Sequence, residues 1–84
     1  MTMNEYNRAK IRLLTNQDAV DFVSTINSDG TATKYSLENF DRSYRVNARS
    51  LLGVLYFITE HGEDTYLVND NGEQIPSSID KFRV

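Results

Sequence analysis

The chain has 84 residues, no cysteine, 39% apolar residues and a net charge of −3. That is one domain, spanning 1–84, with a modest core; it excludes disulfides and thiolate metal sites. No apolar run approaches the roughly 20 residues that cross a bilayer, so membrane insertion is not expected.

The charge is uneven. Residues 1–50 carry seven Lys/Arg against six Asp/Glu, and residues 51–84 carry two against six. Nucleic acid is therefore not an expected partner, because phosphate binding needs a net basic face. The plain reading of Glu60, Glu63, Asp64, Asp70 and Glu73 is a solvated acidic surface.

Residues 1–7 form a polar lead-in, expected to fray. They lack the basic start and apolar middle of a secretory signal, which makes the cytoplasm the expected compartment. In Arg8-Ala9-Lys10-Ile11-Arg12-Leu13-Leu14 the apolar Ala9, Ile11 and Leu13 share one face. Arg8, Lys10 and Arg12 share the other, so this is a half-buried strand with a wet, basic outer side. Thr15-Asn16 offers a helix cap, and Asp18 suits the first turn. Ala19, Phe22, Val23 and Ile26 then make one helical stripe, ended by Asn27-Ser28-Asp29-Gly30. From Thr31 a second alternation places Thr33, Tyr35 and Leu37 opposite Lys34, Ser36 and Glu38. With a tight tip at Glu38-Asn39 and a returning alternation from Phe40 to Val46, it predicts a hairpin.

Ser50 is a good N-cap for the apolar run Leu51-Leu52-Gly53-Val54-Leu55-Tyr56-Phe57-Ile58, and Gly62 stops the helix. Residues 63–69 read as a strand, Asp70-Asn71-Gly72-Glu73 as a turn, and Pro76-Ser77-Ser78 as the start of a short helix pinned by Ile79 and Phe82. The order β-α-β-β-α-β-α implies an α+β fold. Its four-stranded antiparallel sheet would carry the helices on one face, as an open-faced sandwich.

That order, with Ala48-Arg49-Ser50-Leu51-Leu52-Gly53-Val54-Leu55 opening the second helix, resembles the histidine-containing phosphocarrier (HPr) family of the sugar phosphotransferase system. Phe22-Val23 adds to the resemblance, which runs from Arg8 to Phe82. It implies an HPr-like sandwich. It also implies a regulatory serine at Ser50, the target of a serine kinase in many bacteria, and a partner-docking surface at Leu51, Leu52 and Leu55. The family's phosphoacceptor is a histidine between first strand and first helix, followed closely by arginine and proline. Residues 13–19, Leu-Leu-Thr-Asn-Gln-Asp-Ala, hold none of the three. The expectation is thus a non-enzymatic docking or regulatory module with no cofactor and no metal. It would bind a protein partner through Arg49, Leu51, Leu52, Leu55 and Tyr56. The alternatives are a phosphocarrier with a non-standard acceptor and a small ligand-binding or oligomer-forming domain.

Each candidate has a plainer reading beside the functional one. Ser50 caps a helix and needs no further role; as a phosphate acceptor it would be helped by the helix N-terminus and by Arg45 and Arg49. His61 lacks the partner ligands of a metal site and reads as a solvated residue near a helix C-terminus. Asp18 is explained by the helix dipole rather than by aspartyl phosphate chemistry. Asp64, Asp70 and Asn71 do not fit a calcium loop. The aromatics Tyr35, Phe40, Tyr44, Tyr56, Phe57 and Tyr66 read as core or core edge. If Val54, Phe57 and Ile58 face the sheet, Leu52, Leu55 and Tyr56 turn toward solvent.

Overall fold

A computed structural model describes residues 6–28 and 33–84. Its elements are β1 (Arg8–Ile11), α1 (Asn16–Ser28), β2 (Tyr35–Glu38), β3 (Arg45–Asn47), α2 (Leu51–His61), β4 (Thr65–Asn69) and a 3-10 helix (Ser77–Phe82). The strands form one antiparallel sheet in the order β1-β4-β2-β3, with the helices on one face. The α+β sandwich is the architecture the periodicities imply. The last helix differs in kind: it is 3-10, with no side-chain cap at Pro76, although Ile79 and Phe82 are buried as expected.

The core lies between sheet and helices. The stripe Ala19, Phe22, Val23 and Ile26 is buried, and Phe22 meets Phe82 edge-to-face at 5.6 Å. From the sheet come Ala9, Ile11, Tyr35, Leu37 and Leu67, and from α2 Val54 and Phe57. α2 ends at Gly62, whose φ of 54° would strain a side chain and whose N–H donates to the Ile58 carbonyl.

Three local expectations are corrected. The Glu38-Asn39 tip is instead a wider connection. Asn39 and Tyr44 close it through Asn39 N–H to the Tyr44 carbonyl (3.3 Å) and Tyr44 N–H to Asn39 Oδ1 (3.1 Å), with Arg42 at φ 66°. The strand predicted over residues 40–46 is therefore only Arg45–Asn47, and Phe40 is exposed rather than core. Of the lead-in expected to fray, Tyr6 and Asn7 are tied down: their carbonyls accept from Ile75 N–H (3.0 Å) and Asn69 N–H (2.9 Å). The rest of that lead-in, and Asp29, Gly30, Thr31 and Ala32, lie outside the described residues.

The C-terminal residues close one side of the sheet. Arg12 N–H donates to the Phe82 carbonyl (2.8 Å), Val84 N–H to the Lys10 carbonyl (3.2 Å), and Ile11 bridges Arg83. No helix among the described residues is long and apolar enough to cross a membrane.

Candidate functional site

The chain turns into α2 through a short relay. Asn47 accepts from the backbone N–H of Arg49 at Oδ1 (2.9 Å) and of Ser50 at its carbonyl (3.1 Å). Ser50, extended at φ −95°, then accepts the Gly53 N–H on its hydroxyl at 3.1 Å. Ser50 is thus an N-cap in place. Ser50→Ala is expected to lower stability by about 1 kcal/mol, read from a urea midpoint.

With that start, the helical phase sends Val54 and Phe57 fully inside. Leu51, Leu52 and Tyr56 turn outward at 39%, 78% and 55% exposure. Leu52 and Tyr56 are one turn apart and neighbours on the surface. Leu55 is corrected: it is half-buried and packs on the core, because it flanks the inward stripe rather than opposing it.

The two arginines expected to hold a phosphate at Ser50 are engaged elsewhere. Arg49 reaches across to the end of α1, and this corrects its placement on the docking surface. Its Nε and Nη2 donate to the Thr33 carbonyl (3.0 and 2.9 Å). Its Nη1 donates to the Ile26 carbonyl (3.2 Å) and Asn27 Oδ1 (3.1 Å). The cation thereby satisfies a carbonyl at the negative end of a helix and joins α1 to the start of β2. Arg45 lies on the sheet face away from the helices, donating to Glu38 (2.7 Å) and Asp70 (2.8 Å). The Glu38 hydrogen bond, and then the Asp70 charge against the opposing effect of burial, hold its guanidinium above the ordinary value.

His61 is the last residue of α2, half-buried rather than solvated. Its ring lies 4.8 Å from both Tyr44 and Phe57. Burial, and then Tyr56 beside it, raise the Tyr44 phenol above its usual range. At the N-terminus of α1, Thr15 and Asp18 cap reciprocally. Asp18 N–H donates to Thr15 Oγ1 (3.0 Å), and Asp18 Oδ2 accepts from Leu14 and Thr15 N–H (2.8 and 3.2 Å). Oδ2 of the carboxylate expected to serve the helix dipole is occupied in this cap.

A second assembly went unread in the sequence. Strand register puts Arg8, Lys10, Ser36, Glu38, Arg45, Asn47 and Tyr66 on the face without helices. There Glu38 is only 1% exposed, held by Arg8 Nε (2.6 Å), Arg45 Nη2 (2.7 Å) and Arg42 Nε (3.4 Å). Arg8 also lies 4.0 Å over the Tyr66 ring, so the wet outer side expected of β1 is in part sealed. The available signal was the shared phase of Arg8, Glu38 and Arg45, each on the outward register of its strand.

No family model, curated protein or solved structure matches the chain.

Proposed function

We propose that this is an HPr-like docking module, cytoplasmic and without a catalytic or phosphocarrier site of its own. It would bind a protein partner through the first two turns of α2. The observation that carries the reading is the trio Leu51, Leu52 and Tyr56, apolar and outward on a helix whose opposite side is fully packed. Large apolar side chains side by side in water are what an interface core is made from. The absence of any histidine in residues 13–19, and the commitment of Asp18 to capping, support a role without phosphate transfer at that junction.

Ser50 sits at the rim of the trio. A serine kinase acting there would add close to two negative charges beside the patch, at a helix N-terminus that tolerates them. Neither Arg45 nor Arg49 needs to move for this, because both keep their own partners.

The test is affinity capture from the native host with wild-type chain and with Leu52→Asp. A charge on a 78% exposed residue leaves the fold intact, which an unchanged thermal melt verifies. The expected result is a protein retained by wild type and weakened about tenfold or more by Leu52→Asp, as for the centre of an interface. The same proteins retained equally by both overturns the reading. So does chain labelling by a phosphoryl donor that His61→Ala abolishes, since that would make it a phosphocarrier.

A further inference from the structure

One end of the sheet holds a cleft of about 440 Å³, where β2 begins, β3 ends and the chain leaves β4. Lys34, Arg45 and Arg49 line it against one carboxylate, Asp70, so its walls are net positive in a chain of net charge −3. Ser36 and Asn47 add a hydroxyl and an amide.

The two arginines are positioned before any ligand arrives. Arg49 is fixed by its bonds to Thr33, Ile26 and Asn27. Arg45 is fixed by Glu38 on one terminal nitrogen and Asp70 on the other. A guanidinium carries five N–H donors. These two contacts leave Arg45 its Nε–H and a second hydrogen on each terminal nitrogen. Asp70 is held in turn: it accepts from the Ser36 hydroxyl, and its N–H donates to the Lys34 carbonyl at 2.8 Å. Lys34 is exposed at the rim.

We propose that this cleft binds a phosphate monoester of a small organic molecule. Three considerations select that chemistry. Lys34, Arg45 and Arg49 outnumber Asp70 and the Glu38 carboxylate that also pairs with Arg45, and a cationic wall suits a dianion, which a monoester is above its second pKa of about 6. The open N–H donors of a fixed arginine, Arg45, beside the exposed Lys34 ammonium are a usual means of holding phosphate. The volume falls in the range of small-molecule sites and leaves room for an organic group beyond the phosphate itself. The cleft is separate from Leu51, Leu52 and Tyr56, so its occupancy does not depend on the docking reading. Leu52→Asp serves as a control that leaves ligand binding unchanged.

The experiment is a titration of the full chain with glucose 6-phosphate, with inorganic phosphate and with glucose, followed by backbone amide NMR shifts at low ionic strength. Saturable shifts centred on Lys34, Ser36 and Asn47 are expected with glucose 6-phosphate, weaker ones with inorganic phosphate, and none with glucose. Lys34→Gln, at an exposed position that does not threaten the fold, is expected to weaken binding about fivefold through loss of one charge-assisted contact. Three results each overturn the proposal: no saturable shift with the monoester, inorganic phosphate binding as tightly as the ester, or Lys34→Gln titrating like wild type.

Discussion

Phe57→Ala is expected to lower the stability of the fold by about 3–5 kcal/mol, the usual result of emptying a buried phenyl site. A chain of this length has about 4–12 kcal/mol in total, so the variant will stand near the edge of folding. The ring is wholly inside, stacked on Tyr44 at 5.8 Å and tilted against His61 at 4.8 Å. Its loss removes one of the ring contacts, beside those of Tyr56 and His61, that join α2 to Tyr44 in the β2–β3 connection. Urea unfolding followed by circular dichroism measures it. The midpoint should drop steeply, with a slope that stays near wild type if only stability changes. A loss under about 1.5 kcal/mol would mean that Tyr44 and His61 collapse into the space, an outcome the spread of cavity costs allows only where neighbours are mobile.

Glu38→Ala is expected to cost about 3 kcal/mol, at the lower end for breaking a buried ion pair. The three arginines around it are not equivalent. Arg42 and Arg45 are about half exposed and can turn to water, so their loss of a partner matters little. Arg8 is 9% exposed in its side chain, pinned over Tyr66 and bonded to the carbonyls of Asn39 (3.2 Å) and Phe40 (2.9 Å). Removing Glu38 takes from this covered cation its 2.6 Å carboxylate contact. The double variant Arg8→Ala/Glu38→Ala should therefore be less destabilised than the sum of the single variants, by about 1 kcal/mol or more. Strict additivity would show that Glu38 acts through Arg45 and Arg42 instead.

The parts of the fold that a sequence displays are those set by local phase. The stripe Ala19-Phe22-Val23-Ile26 and the limits of α2 were legible because helical spacing, a serine cap and a terminal glycine act within a few residues of themselves. Leu52 and Tyr56 were legible for the same reason. Leu55 was not, since phase gives a direction but not how far the sheet and α1 extend to meet it. The β2–β3 connection was misread because it is closed by the Asn39 side chain and by a non-glycine residue, Arg42, in the left-handed region. Residue preferences do not announce either. Glu38 read as an outward charge, and it is outward. What alternation omits is that residues seven positions ahead and thirty behind supply the arginines that cover it. Arg49 hides its role similarly, its partners lying 16 to 23 residues away.

The pairing of residues 82–84 with β1 has a consequence for how copies of this protein can meet. Among the described residues, β3, three residues long, has no neighbour on its outer side, while the outer side of β1 is paired only around Lys10–Arg12. Growth of an endless ribbon requires two sticky borders per molecule, one to receive and one to offer. With one border three residues long and the other partly occupied, sheet-wise association of folded chains is expected to favour pairs over ribbons.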